Sequence, residues 1–314
     1  MILRLAKTIA KTILPRQVVA MLRKPVPFDN TYPWLNYACG LLGNARLNQR
    51  PPYLWGVVQG AALARVLEIH KISVIEFGVA GGFGLMTLEK IADAVTKITG
   101  IEIDVIGFDT GMGLPKPEDY RDQPNLWFEG QLAMDRVRLE SMLSRAILRL
   151  GAVKETVPSF IGSNPAPIAF VSFDLDLYSS TRDALTLFRA DYRHYLPRVV
   201  SYFDDIFGYT FNDFCGERLA IREFNEYNDN RKICPIHGLR NFIAGCSVSD
   251  LWPDGMYFAH LFEHPLYSAL DSINKPVIMN VQGDILWRDV DPSQPGKRPT
   301  EKPIAQRSAS YKAP

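Results

Sequence analysis

From residue 59 onward the chain switches repeatedly between two hydrophobic periods, and that alternation limits its fold more than any other feature. GAALARVLEIHK repeats at helical spacing, SVIEFGV is a short β-rich run, LMTLEKIADAVTKIT is helical again, and IDVIGFD returns to strand character. A helical stretch around LAMDRVRLESMLSRAI and a weaker strand near ILRLGAV follow. Then come IAFVSFDLD, the helical TRDALTLFRADYRHYL and the strand RVVSYFDD. Runs of nearly unbroken Val, Ile and Phe are apolar on both faces, so each strand needs cover on both sides, and the intervening helices supply it. The expected fold is α/β, a doubly wound, Rossmann-like and mostly parallel sheet. ERLAIREFNEY adds a later helix, and MYFAHLF a late antiparallel strand.

With 314 residues, 47% of them hydrophobic, the chain can bury a sizeable core. It divides into an N-terminal basic segment and lead-in (1–58), a main domain (59–290) and a tail (291–314) whose Pro, Ser, Lys and Arg content reads as disordered. The formal charge of +1 is unevenly spread, because residues 1–28 carry Arg4, Lys7, Lys11, Arg16, Arg23 and Lys24 and no acid. On a helix Arg4, Lys7 and Lys11 share one side and Ile2, Leu5, Ile9 and Ile13 the other, until Pro15 ends the pattern. Residues 1–14 therefore suit peripheral contact with an anionic membrane, and also suit packing against the chain's own domain. The stretch 29–58 is rich in aromatics and turn residues and has no clear period, so it reads as a lead-in that packs on the domain or shapes its mouth.

Several function classes are disfavoured. No general basic surface exists, which argues against a nucleic-acid partner. Cys39, Cys215, Cys234 and Cys246 stand far apart with no CxxC pair, against a zinc site and a disulfide framework. No run reaches the ~20 apolar residues of a membrane span, and Lys7 and Lys11 interrupt any export signal. A cytoplasmic setting is expected, with the inner membrane surface as an alternative for the N-terminal segment. Whether the chain forms a homo-oligomer is left open.

VIEFGVAGGFG, residues 74–84, runs from a strand through a glycine-rich turn into a helix, a geometry that lets backbone amides approach a ligand. A dinucleotide fingerprint starting at Gly78 would need glycine where Ala80 and Phe83 stand, and a phosphate loop would need a Gly-Lys-Ser/Thr ending that is missing. What remains is Glu76 at the strand end with Gly78 and Gly82 after it, although a tight βα turn needs glycine in any case. This set resembles motif I of the class I S-adenosylmethionine-dependent methyltransferases. The resemblance implies that the backbone of 78–82 faces the amino-acid part of that cofactor, with Glu76 close by. It also implies that Asp109, ending the second strand in GFDTGMGLP, bonds the ribose hydroxyls, since a carboxylate accepts two hydrogen bonds from a diol.

SFDLDLYSS, residues 172–180, places Asp174 and Asp176 two positions apart, on one face if the strand continues through them. RVVSYFDDIFG ends in Asp204 and Asp205, which could reach one ion only where the chain leaves its strand. If these are the fourth and fifth strands, they are neighbours that open at the crevice beside the first strand. Each pair alone is explained by a solvated strand end. Four unpaired carboxylates together would repel, and a divalent cation removes that conflict. All-oxygen ligation favours Mg²⁺, or Ca²⁺ or Mn²⁺, over zinc.

EFGV, GFDTGMGLP, DLDLYSST and FDD, in this order and with KETVP between the second and third, resemble the macrocin-type (TylF family) O-methyltransferases over roughly residues 70–230. The resemblance implies S-adenosylmethionine and Mg²⁺ as cofactors, Asp174, Asp204 and Asp205 as metal ligands, Asp176 as general base, and a hydroxyl of a sugar or glycoconjugate as acceptor. GMGLP departs from the family's commoner aromatic or acidic residue at that point. Catechol or phenol methylation, and a non-catalytic membrane-associated scaffold, remain as alternatives. Tyr178, Thr181 and Arg182 either line the pocket or cap a helix. His260, Glu263 and His264 fit an H-x-x-E-H zinc pattern, but MYFAHLF alternates as a strand and Pro265 blocks a helix, so they are read as part of the late strand.

Overall fold

A computed structural model of the protein describes residues 49–208, 211–243, 246 and 249–268, and the backbone of 277–279 and 285–287. The basic segment 1–14, most of the lead-in and the tail 291–314 lie outside the described residues. The element order is α1 (Pro51–Val66), β1 (Lys71–Phe77), α2 (Phe83–Thr99), β2 (Glu102–Asp109), α3 (Arg136–Met142), β3 (Ile147–Leu150), α4 (Val153–Gly162), β4 (Ile168–Phe173), α5 (Tyr178–Ala184), β5 (Tyr195–Phe203), α6 (Gly216–Tyr227), β6 (Arg231–Pro235) and β7 (Met256–Leu261). The sheet order is β3-β2-β1-β4-β5-β7-β6. β1 to β5 pair in parallel, while β7 runs antiparallel to both β5 and β6. The expected doubly wound sheet with a late antiparallel strand is therefore present. The chain divides into two compact units, Met1–His264 and Pro265–Pro314. In the second unit β8 (Val277–Met279) pairs antiparallel with β9 (Ile285–Trp287).

Strand alternation sorts the core into two layers. Ile72, Val74, Val105 and Phe170 face the layer that holds α1 and α2, whereas Ile75, Phe77, Ile106, Phe173 and Val199 face the layer of α4, α5 and α6. α1 begins at Pro51, nine residues before the predicted helical run, because Pro51 and Pro52 fit the first positions of a helix, where no N–H partner is needed. It lies close on β4 through its glycines: a methyl at Gly56 would stand 2.2 Å from the Phe170 ring, and one at Gly60 would stand 2.8 Å from Ala169 Cβ.

Two other predicted helices are shorter than their periods suggest. α3 stops at Met142 because the Glu89 carboxylate on α2 takes the N–H groups of Ser144, Arg145 and Ala146, which turns the chain into β3. TRDALTLFRADYRHYL breaks after α5 into 3-10 turns at Leu185–Arg189 and Tyr192–His194. There the carbonyls of Leu187, Phe188 and Ala190 accept from Tyr195 Oη and the Arg231 guanidinium rather than from later amides of a continuing helix. Tertiary partners decide both endings.

Four strands share one aromatic row. Phe77 lies beside Phe108 on β2 and Phe173 on β4, and Phe173 lies beside Phe203 on β5. The rings stack with centroids 4.7, 5.4 and 4.6 Å apart, and none is exposed. Stacked pairs add about 0.5–1.5 kcal/mol each beyond area burial. Phe173 also touches Phe188, so Phe173→Ala should destabilise the chain by about 3–5 kcal/mol in denaturant unfolding, and Phe173→Leu by less.

Candidate functional site

Each phenylalanine of that row is followed by a residue of the predicted site: Gly78, Asp109, Asp174 and Asp204. The ladder continues one step past the strands, since Gly78 N–H donates to Phe108 O (2.9 Å), Asp174 N–H to Phe77 O (3.1 Å) and Asp204 N–H to Phe173 O (3.0 Å). Side chains that depart from this line converge on the carboxyl edge of the sheet. Gly78 is required for the approach: it has φ +82°, and a Cβ there would lie 1.7 Å from Asp174 O.

A cavity of about 370 Å³ opens above this edge, lined by the glycine loop 78–84, Glu76, Asp109, Asp174 and Asp176. Its size falls within the range of small-molecule sites. Gly82, at φ +84°, leaves room for the Leu139 side chain, which a Cβ would overlap at 2.2 Å. Asp109 braces the loop, because its Oδ2 accepts the N–H groups of Val79 and Ala80 (2.9 Å each) and its Oδ1 that of Gly111 (2.6 Å). A carboxylate has about four lone-pair positions, so in this arrangement Asp109 has room for about one more donor.

Glu76 is buried under the start of α2, where Gly84 makes room for it: a Cβ at Gly84 would lie 1.8 Å from Glu76 Oε1. Tyr53 Oη on α1 donates to Glu76 Oε1 (2.6 Å) and accepts from Ser172 Oγ (3.1 Å), while Glu76 Oε2 has no protein partner. Burial pushes this carboxyl up to about 8, against the opposing pull of the Tyr53 hydrogen bond and the Arg50 charge. Arg50, just before α1, sits over the rings of Tyr53 and Phe83 and places Nη1 3.6 Å from Asp174 Oδ2. The residues Arg50 and Tyr53 were not singled out in the sequence; the Pro-Pro helix start beside them was the available signal.

The two aspartates of DLD meet by a different route from the one their spacing suggests. β4 ends at Phe173, so strand alternation does not govern them. Asp176 has φ +61°, and Leu177 N–H donates to Leu175 O across it, a γ-turn in a sparsely populated conformation. Two contacts hold the turn. Asp176 N–H donates to Asp205 Oδ2 (2.9 Å), and buried Asp122, from the loop after β2, accepts from Ser179 N–H (2.7 Å) and Ser179 Oγ (2.9 Å) at the start of α5. Asp204 and Asp205 likewise lie just past the end of β5.

Four aspartates thus gather at one edge, with Asp204 Oδ1 accepting from Tyr202 Oη (2.7 Å). Burial, then the charges of Asp204 and Asp205, raise Asp174 to about 7; burial, then Asp174 and Asp204, raise Asp176 to about 7. Burial, then Asp176 and Asp204, raise Asp205 to about 8. A fifth acid escaped the sequence reading: Glu217, fully buried on α6, accepts Asp205 N–H at Oε2 (3.0 Å). Among the described residues no three His, Cys, Asp or Glu side chains form a ready metal shell. The donor set itself, all carboxylate oxygen and under mutual repulsion, fits a hard divalent cation.

The H-x-x-E-H residues do not converge. His260 stacks on Phe262 on the antiparallel β7, Glu263 pairs with Arg231, and His264 packs edge-on against Tyr192. Tyr178 Oη donates to Glu223 (2.6 Å) and accepts from Arg121, and Arg182 pairs with Glu118, so these residues tie the loop after β2 to α5 and α6. Among the described residues no helix is long and apolar enough to cross a membrane.

No protein-family model matches the sequence, and no curated protein matches it significantly. Solved structures do. A crystal structure of a calicheamicin methyltransferase is 20% identical, with TM-score 0.47, covering 78% of this chain and 90% of that one. The apo structure of a TDP-rhamnose 3'-O-methyltransferase of calicheamicin biosynthesis gives 20% and 0.40, covering 78% and 92%. An O-methyltransferase from Bacillus cereus in complex with SAH gives 16% and 0.33, covering 75% and 92%. At such scores the likenesses decide nothing about function, which rests on the residues themselves.

The raised Glu76 carboxyl has a signed consequence. Its unfolded form titrates near the ordinary 4.5 and its folded form near 8, so the folded chain holds the extra proton in between and loses stability as pH rises through that window. Glu76→Gln keeps an acceptor for Tyr53 and removes the charge. In thermal unfolding of the ligand-free chain it should stabilise more at about pH 8 than at about pH 5, by a difference on the order of a few kcal/mol.

Proposed function

We propose that the chain is an S-adenosylmethionine-dependent, Mg²⁺-dependent O-methyltransferase acting on a hydroxyl of a sugar or glycoconjugate. One observation carries this reading: a cavity lined by a βα glycine loop and Asp109 is lined as well by Asp174 and Asp176 from the chain just past β4, and Asp205, past the neighbouring β5, accepts the Asp176 N–H. The ordered motifs EFGV, GFDTGMGLP, DLDLYSST and FDD, with their resemblance to the macrocin-type enzymes, support it.

In this reading Glu76, Gly78, Gly82 and Asp109 bind the cofactor, which supplies an electrophilic methyl on sulfonium sulfur. The backbone of 78–82 lies against its amino-acid part, and Asp109 takes a ribose hydroxyl. Asp174, Asp204 and Asp205 hold the cation, which when bound fixes the acceptor oxygen and lowers its pKa. Asp176 takes the acceptor proton. Asp176, at φ +61°, is among the residues that line the cavity, and the bond from its N–H to Asp205 Oδ2 ties it to the DD pair, which supports this assignment. Methyl transfer is an in-line displacement, so these residues act mainly by aligning the acceptor and removing its proton. Arg50 holds Asp174 from the α1 side and covers the glycine loop at Phe83.

A phenolic acceptor is the second reading, favoured by Phe83 and Leu132, two half-exposed apolar side chains that line the same cavity. A non-catalytic scaffold would have no use for so many buried like charges. We place the protein in the cytoplasm, with residues 1–14 suited by their basic amphipathic pattern to an anionic membrane surface.

The test is transfer from labelled S-adenosylmethionine to a panel of glycans, nucleotide sugars and phenols. EDTA should abolish transfer and Mg²⁺ restore it, and transfer that survives EDTA refutes the metal assignment. Asp176→Asn should lower kcat about 10²–10⁴-fold while cofactor binding measured by calorimetry stays unchanged.

A further inference from the structure

Glu217 stands outside the DLD and DD motifs, yet the fold returns it to them. The chain leaves β5 at Phe203, loops out, and re-enters at α6, whose second residue is Glu217. Its Oε2 accepts the N–H of Asp205 at 3.0 Å, and the side chain has no exposed surface. Its Oε1 is buried with no protein partner. The side chain is near enough to interact electrostatically with Asp205, Asp174 and Asp204. Arg218 pairs with Asp213 and Arg222 with Glu226, while Arg50 reaches the aspartate group at Asp174.

A buried carboxylate with an open oxygen is costly unless a positive charge or a donor reaches it. The N-terminal turn of α6 and one amide offset part of that cost. Adding a fifth acid behind four others makes the repulsion worse in the empty site and strengthens the attraction for a cation in the filled one. Glu217 also fixes Asp205 from behind, as supporting carboxylates fix metal ligands.

We propose that Glu217 is a further carboxylate of the cation site, orienting Asp205 through Oε2 and offering Oε1 to the cation or to a water bound to it. This rests on the cation reading given above. It assigns the cation's affinity in part to a residue that lies outside both aspartate motifs in sequence and outside the lining of the cavity.

The experiment is Mn²⁺ binding to the full chain, without cofactor or acceptor, followed by the electron paramagnetic resonance signal of free Mn²⁺. Glu217→Gln keeps the shape and the acceptor for Asp205 N–H while removing the charge, and should weaken Mn²⁺ binding roughly 10–100-fold. Glu217→Asp keeps the charge and withdraws it, and should fall in between; it carries the test if the Gln variant does not fold. Glu226→Gln, exposed further along α6, should bind as the parent does. S-adenosylmethionine affinity should be the same in all of them. Parent binding with an unweakened Gln variant, or with an unweakened Asp variant where Gln does not fold, overturns the role of Glu217 and leaves the cation site standing. No Mn²⁺ binding by the parent overturns the cation reading itself, and this inference with it.

Discussion

The row of Phe77, Phe108, Phe173 and Phe203 sets where everything else can be. Because the four rings stack across neighbouring strands, the strands end at a common level, and the residue after each ring starts the site from the same line. A slip of one residue in any of them would turn its phenylalanine to the other face and remove its acid or glycine from the edge. Packing energy in the layer of α4, α5 and α6 is thereby converted into positional accuracy above the sheet. The chemistry proposed for the site needs that accuracy, since an in-line displacement tolerates little misplacement.

Above the row, the loops are held by each other rather than by their own strands. Asp109 from the second strand binds amides of the loop after the first; Asp122 from the same connection caps the helix after the fourth; Glu217 on α6 receives the amide of Asp205. In each case an acid from one part of the chain satisfies backbone N–H groups at a loop or helix start far from it in sequence or on another element, which is how irregular backbone can remain buried near a cavity. The arrangement gathers acids in a partly buried region at the sheet's edge, and Arg50 is a described cation that enters it.

The alternation of periods made the sheet legible, and the ends of its strand runs put Gly78, Asp109, Asp174 and Asp204 at its edge, whereas the phenylalanine before each of them stands out only once the rings are seen to stack. The periods and the strand ends follow from local spacing. What could not be read came from long-range contacts. Glu89 ends α3, Tyr195 and Arg231 end the helix after α5, and Tyr53 and Arg50 reach the site from a segment without clear period. DLD shows the limit well. Its spacing suggested a shared strand face, whereas the strand had already ended and a left-handed residue brought the acids together. Glu217 looked like an ordinary first-turn acid of an amphipathic helix, and only its burial and its bond to Asp205 separate it from one.

Gly78 has a consequence of another kind. A carbonyl oxygen of the fourth strand's extension occupies the space where its side chain would begin. Every single-base change of a glycine codon that alters the residue adds at least one carbon there, so this position has no neutral neighbour in sequence space. The glycine loop and the aspartate turn therefore cannot drift apart by small steps. A lineage that altered the spacing of one would have to rebuild the other in the same event, and variation among descendants of this chain should collect in the connection after β2 that carries Lys116 and Leu132 beside the cavity.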